Sequence, residues 1–169
     1  MNVVNLRNTD GVSFGFDLAP DLDALLQQAA RSYDDPLQAE ASLKQAYELD
    51  NQELAVYFAL YKFYAYQNRM NEAEAIVYGG LALAARQCNF SEHWQTLSYQ
   101  STDWSNPSGV KRFYLYSLKA LAFIYLRQDK RDNAVQVLAK LQELDPHDEV
   151  GGSVVANLAR GSEQLAYSS

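Results

Sequence analysis

The chain has 169 residues, of which 48% are hydrophobic, and a formal net charge of −7 at pH 7. This length suits one domain with a sizeable core, and the negative charge argues against nucleic acid or an anionic membrane as the main partner. The sequence contains no apolar run of the ~18 residues that a membrane span needs, and it has no basic-then-apolar signal pattern at the start. We therefore expect a cytoplasmic protein.

Residues 1–19 differ from the rest of the chain. Val12, Phe14, Phe16 and Leu18 alternate with small or polar residues, and a turn signal at residues 8–11 precedes them. This pattern predicts a short β-hairpin or extended arm. Because an isolated hairpin is only marginally stable, we expect the arm to pack on the following helices, to pair across a dimer, or to order on a partner.

Helical spacing begins at Pro20 and continues through three predicted helices. The first carries Leu22 and Leu25 on one face, and the second begins at Pro36 and ends near residue 50. The third, from about residue 52 to 67, has apolar residues on several faces, among them six aromatic residues: Tyr57, Phe58, Tyr61, Phe63, Tyr64 and Tyr66. A helix of this kind is normally covered on several faces.

Two glycines lie inside the fourth predicted helix, which begins near Glu72. Each glycine costs about 1 kcal/mol relative to alanine in a helix interior. Because good helix formers follow Gly79 and Gly80, we interpret the pair as a site of close helix packing.

Residues 88–114 do not follow the helical pattern of the segments around them. They contain a short helix after Ser91 and a long polar loop around Trp104. Trp104 is either a plug folded back onto the helices or an exposed anchor for a partner. We favour the plug and keep Trp104 as a candidate binding residue.

Two more helices and a final one complete the chain. Leu118, Leu121, Ala122 and Tyr125 mark one helix, Ala134 and Leu141 mark the next, and Pro146 closes it. A last helix is predicted over residues 149–166, where it would cover the end of the helical stack.

The helix pairs are related by regular offsets. Subtracting 95 from Ala134 gives Ala39, and adding 34 to Ala39 gives Ala73, so the units are 20–53, 54–87 and 115–148, with residues 88–114 inserted. This spacing of small and aromatic residues resembles the tetratricopeptide repeat (TPR), a helix–turn–helix unit of 34 residues. The resemblance covers about 100 residues and implies an all-α superhelix of about three repeats in residues 20–166, with a capping helix.

The resemblance also implies a concave groove lined by the first helix of each unit. The positions that line it include eight candidate binding residues: Arg31, Phe58, Lys62, Tyr66, Tyr116, Lys119, Phe123 and Arg127. The sequence leaves open whether this groove is free or filled by the N-terminal arm, residues 88–114 or the C-terminal helix. These side chains would make the groove aromatic and basic, which suits an acidic or aromatic segment of another protein. With Ala24 and Gln28 in the first unit, the chain lacks the lysine and asparagine of the family's carboxylate clamp, so chaperone C-termini are not the expected partner.

The sequence contains none of the catalytic motifs we considered. It has no Gly-x-Ser-x-Gly elbow, phosphate loop, dinucleotide fingerprint or His-Glu-x-x-His helix. Cys88 and His93 lie close in sequence, but no second cysteine or histidine stands nearby to complete a zinc site. We therefore expect no enzyme activity, cofactor or metal.

Together these features predict a protein-binding adaptor. Proteins of this type resemble chaperone-like bacterial accessory factors, including secretion chaperones and assembly factors for metalloenzymes such as those of nitrogen fixation. One alternative is a module that forms a homodimer through the arm and its aromatic surface. Another, ranked below both, is a small hydrolase or metal protein built on Cys88 and His93.

Overall fold

In a computed structural model of the chain, residues 14–168 are described, with their side chains as far as residue 161. The expected all-α class is confirmed, since no residue from 14 to 168 lies in a β-strand. Seven α-helices lie in this range: α1 (Pro20–Arg31), α2 (Pro36–Leu49), α3 (Leu54–Tyr66), α4 (Met70–Cys88), α5 (Gly109–Arg127), α6 (Arg131–Leu144) and α7 (Gly152–Ser168).

Consecutive helices pack as pairs. Turns of only three or four residues join α1 to α2, α3 to α4 and α5 to α6, so the two helices of each pair run antiparallel. Each pair also contacts the next through α2 with α3 and α4 with α5, while α7 packs on α5 and α6. None of the helices described between residues 20 and 168 is long and apolar enough to cross a membrane.

The glycine pair of α4 lies at the closest approach of three helices. A Cβ on Gly80 would stand 3.0 Å from Cζ of Phe113 in α5 and 3.3 Å from Cβ of Tyr57 in α3. A Cβ on Gly79 would stand 3.1 Å from Cε1 of Tyr57. The predicted close packing at this pair is therefore confirmed.

Two sequence-based boundaries differ from the structure. The predicted third unit begins at residue 115, but α5 begins six residues earlier, at Gly109. Because Ser108 takes an extended conformation just before α5, the segment between α4 and α5 is residues 89–108. It contains two short 3₁₀ helices, Trp94–Thr96 and Tyr99–Ser101.

The predicted N-terminal hairpin falls mostly on residues 1–13, which lie outside the described residues. Residues 14–19, which include the end of its second predicted strand, form no strand. Phe14 and Phe16 instead turn toward the helices and pack against the core. Burial of these two rings, rather than strand pairing, fixes this part of the arm.

A charged cluster joins α2 to the turn between α3 and α4. The Arg69 guanidinium contacts both oxygens of Glu40, at 2.7 and 3.0 Å, and also contacts Glu72. The Tyr64 hydroxyl donates to the same Glu40 carboxylate at 3.3 Å. The hydrogen bond that Glu40 accepts from Arg69 lowers the pKa of the Glu40 carboxyl to about 2. The ionised form of Glu40 therefore stabilises the junction of the first two helix pairs.

We expect Gly80→Val to destabilise the protein by about 1–3 kcal/mol, because the new side chain must displace Phe113 or Tyr57. Gly161→Val is the matched control, since no atom lies within 4 Å of a Cβ at Gly161, and it should change stability by less than about 0.5 kcal/mol. Urea unfolding measures both variants. Equal effects would contradict the close packing at Gly80.

We expect Glu40→Gln to lower the free energy of unfolding at pH 7, with a deficit that shrinks as the pH falls. Because folding depresses the pKa of Glu40 from 4.5 to about 2, its contribution is full above about pH 4.5 and is lost as the pH falls toward 2. Urea unfolding at pH 7, 4.5 and 3.5 measures this trend. Glu48→Gln, on the exposed side of α2, is the control, and a deficit independent of pH would contradict the prediction.

Candidate partner-binding surface

Helices α3 and α5 lie side by side and form one continuous aromatic face, which we name the α3/α5 face. The Tyr61 hydroxyl and Ser117 Oγ form a buried hydrogen bond of 3.1 Å across it. The ring centres of Phe58 and Tyr116 are 5.6 Å apart across the same contact between α3 and α5, which we name the α3–α5 seam. Residues distant in sequence are thus brought onto one surface.

The N-terminal arm covers one end of this face. The Phe14 ring centre lies 5.1 Å from that of Phe58, 5.7 Å from that of Phe113 and 6.0 Å from that of Tyr116. Phe16 packs beside it, 6.4 Å from Phe113. All three contacted rings belong to the first halves of α3 and α5, so the arm occupies that half of the face.

The other half of the face carries a shallow apolar depression. It is lined by Tyr61, Ala65, Tyr116, Lys119, Ala120, Phe123 and Ile124. Phe123 is partly exposed at this place. Tyr66, 39% exposed, ends α3, and Arg127, also exposed, ends α5. We name the region that contains Tyr66, Phe123 and Arg127 the open half of the α3/α5 face.

The two predicted lysines of the groove are held by the chain's own groups. Lys62 is buried, with its Nζ 5.1 Å from the centre of the Phe58 ring. Lys119 Nζ lies 5.0 Å from the centre of the Tyr116 ring and donates to the carbonyl oxygen of Val150 at 2.9 Å. Burial lowers the pKa of Lys119. Both lysines therefore support the face from within rather than projecting from it.

The predicted site residues differ in how much surface they offer. Phe58 and Tyr116 are each only 8% exposed, because the arm and the α3–α5 seam cover them. Arg127 is exposed and donates to Oδ1 of Asn68 at 3.0 Å. Arg31 is exposed in the last turn of α1.

The end of α1 adjoins the open half through one tyrosine contact. The Tyr33 ring, just beyond α1, packs edge-on against Tyr66 at 5.7 Å between ring centres. This contact brings the chain around Arg31 toward the end of α3. Of the nine candidates, Tyr66, Phe123 and Arg127 thus remain accessible on the open half, and Arg31 is exposed at the end of α1.

Trp104 lies in the interior, away from the α3/α5 face. It is 3% exposed, and its ring packs against Phe90 and Tyr114 at centre distances of 5.4 and 6.0 Å. Its Nε1 donates to the carbonyl oxygen of Ser98 at 3.2 Å. Trp104 is the plug that closes the loop over α4 and α5, and it leaves the set of exposed candidates.

The cysteine and histidine considered as metal ligands have different surroundings. Cys88 is partly buried, and burial raises the pKa of its thiol. His93 is exposed in the loop. Within residues 14–161 no group of three or more His, Cys, Asp or Glu side chains is arranged to hold a metal ion.

Sequence reasoning left open whether the N-terminal arm, residues 88–114 or the C-terminal helix fills the predicted groove, and in the structure Phe14 of the arm covers its first half. The signal was the alternation of Phe14 and Phe16, which predicts burial of one face. It does not reveal which surface receives the rings, because Phe58, Phe113 and Tyr116 come together only in the folded chain.

Comparisons with known proteins give one full-length similarity. The chain is 28% identical over 167 residues to a protein of Azotobacter chroococcum mcd 1 named "Uncharacterized 19.8 kDa protein in nifW 5'region". The similarity covers 96% of this chain and 93% of that protein, so it extends over nearly the whole length of both. No family model and no solved structure matches the chain.

We expect Trp104→Ala to lower the free energy of unfolding by about 3–5 kcal/mol, because it empties a filled site beside Phe90 and Tyr114. Tyr99→Ala is the control in the same loop, since Tyr99 is 42% exposed, and it should cost less than about 1 kcal/mol. Chemical denaturation compares the two variants. A wild-type-like Trp104→Ala protein would mean that the indole is a surface anchor.

Proposed function

We propose that this chain is a TPR-like adaptor that binds a segment of another protein on the open half of the α3/α5 face. The side chains there combine a partly exposed aromatic ring, Phe123, with an exposed cation, Arg127, beside an apolar depression. This combination is the observation that carries the proposal. The depression holds only about 10 Å³, so an aliphatic or aromatic anchor would lie against the Phe123 ring and the apolar surface beside it, and a carboxylate would pair with the guanidinium.

Repeated local geometry supports the TPR-like assignment. The turns after α3 and α5 each have three residues, and their middle residues, Asn68 and Asp129, take φ values of 60° and 61°. In both turns the following backbone N–H bonds back to a tyrosine carbonyl at 2.8 Å, Arg69 to Tyr64 and Lys130 to Tyr125. This is the Schellman arrangement of helix ends. Because the same hydrogen bonds end both α3 and α5, we interpret the α3–α4 pair and the α5–α6 pair as two copies of one repeat.

The cations after these turns also occupy equivalent places. The Arg69 guanidinium lies 4.7 Å from the centre of the Tyr64 ring, and Lys130 Nζ lies 5.9 Å from the centre of the Tyr125 ring. In each helix pair the last residue of the turn is a cation that packs on a tyrosine of the preceding helix. This side-chain packing also supports the interpretation of the two helix pairs as copies of one repeat. In stacked repeats, first helices such as α3 and α5 form the shared binding surface.

We further propose that the adaptor is an accessory or assembly factor of a nitrogen-fixation system. The support is the name of the Azotobacter chroococcum relative, which refers to the nifW 5′ region, together with similarity over nearly the whole of both chains. In this role the protein performs no chemistry on its partner. It binds a partner segment reversibly and presents or protects it during assembly.

The test is a side-by-side capture from the extract of cells that make the protein, with wild type and with Phe123→Asp/Arg127→Glu. The double variant removes the apolar ring and reverses the exposed charge, so we expect it to lose the partner, a drop of at least about tenfold in capture. Arg86→Glu is the control for the arginine reversal, because Arg86 is exposed on α4 and pairs with Glu92, away from the α3/α5 face.

Two outcomes of the capture separate the two parts of the proposal. Equal capture by wild type and the double variant would contradict binding on the open half. A partner lost from the double variant but present equally in cells grown with fixed nitrogen would keep the adaptor and remove the nitrogen-fixation role. Circular dichroism of the double variant confirms that the helices remain.

A further inference from the structure

A second surface lies beside the last two helices, and it shares no residue with the α3/α5 face. Helices α6 and α7 leave a groove of about 480 Å³ between them. Its apolar floor comes from both helices and consists of Val135, Leu138, Ala139, Ala156 and Ala159. Val135 is 40% exposed there. We name this surface the α6/α7 groove.

The order of packing shows what kind of element this groove suits. Helix α3 is covered by α4, which follows it, and α5 is covered in the same way by α6. Helix α7 packs on α5 and α6. A helix running parallel to α6 would continue the alternation of the stack, as α4 runs parallel to α2.

The charges at the two ends of the groove define the polarity of that helix. The exposed Arg160 lies at the end where α6 begins, beside Arg131, whose Nε donates to the carbonyl oxygen of Ala159 at 3.4 Å. The exposed Asp148, which accepts from the backbone N–H of Ser153, lies at the end where α7 begins. A helix parallel to α6 would bring its first turn to the arginines and its last turn to Asp148. The chain's own α4 has the matching polarity, with Glu72 in its first turn and Arg86 in its last.

We propose that the α6/α7 groove binds an amphipathic helix of a partner protein. This helix has about the length of α6, which has 14 residues. It carries alanine, valine or leucine at helical spacing toward the groove, acidic residues in its first turn and basic residues in its last turn. The groove thus receives a helical segment, whereas the open half of the α3/α5 face receives an extended one.

The test is fluorescence anisotropy with a labelled, N-acetylated 14-residue helical peptide of that design, added to the full-length protein. The charge-reversed peptide, with lysines first and glutamates last, is the ligand control. We expect the first peptide to bind at least about fivefold more tightly than the reversed one. Arg160→Glu, at the basic end of the groove, should reduce this preference.

The protein variants are a matched pair of exposed valines. Val135→Glu places a carboxylate on the floor of the groove and should weaken binding by about tenfold or more. Val154→Glu makes the same change on α7 outside the groove, where the valine is 42% exposed, and should leave affinity within about twofold. Circular dichroism checks that both variants keep their helices.

Three results would overturn this proposal. These are the absence of saturable peptide binding to wild type, equal affinities of the two valine variants, and a wild-type dimer in sedimentation that Val135→Glu dissociates. The last result would assign the groove to a second copy of the chain. The Phe123→Asp/Arg127→Glu protein should bind the peptide like wild type, so failure here is distinct from failure of the adaptor surface.

Discussion

The contact between α3 and α5 is the constraint on which the rest of the structure depends. It joins two helix pairs through the buried Tyr61–Ser117 hydrogen bond and the packing of Phe58 on Tyr116. Full burial raises the pKa of Tyr61 well above its usual value, because the ionised phenolate would lose its solvation. Helix α4 packs on both of these helices, and the absence of a side chain at Gly80 eases that approach, since a Cβ there would stand 3.0 Å from Cζ of Phe113 and 3.3 Å from Cβ of Tyr57. A small change at this seam would therefore alter every surface that the helices support.

The same seam explains why only half of the α3/α5 face is open. Aromatic rings in the first halves of α3 and α5 contact the apolar arm, so Phe14 occupies the place where a partner's aromatic anchor would fit. Toward the other end of these helices Phe123 is only partly covered, and Arg127 adds a charge. Binding on this half requires no rearrangement of the arm, and a longer ligand would have to replace the Phe14 contacts. The α6/α7 groove is independent of this competition, since its lining comes from the last two helices.

The sequence predicted the helical class, the order of the helices and the close packing at Gly80, because these follow from local periodicity and residue size. It could not predict where the long-range contacts form. Lys119 was expected to project into the groove, but a carbonyl of the segment before α7 accepts its hydrogen bond. The start of α5 at Gly109 was missed because the repeat register placed the third unit at residue 115, although Val110 and Phe113 already continue the helical spacing that leads to Leu121. The α6/α7 groove had no signal at all, since it arises from the placement of one helix relative to another.

The most direct test of the account is hydrogen–deuterium exchange of the full-length protein, free and bound to the partner that wild type captures. The account predicts added protection in the second halves of α3 and α5, around Tyr66, Phe123 and Arg127, with α2 and the outer side of α4 unchanged. Backbone amides there would exchange more slowly because a bound segment suppresses local opening. Protection confined to α2 and α4, with none in α3 or α5, would contradict the claim that this face binds the partner.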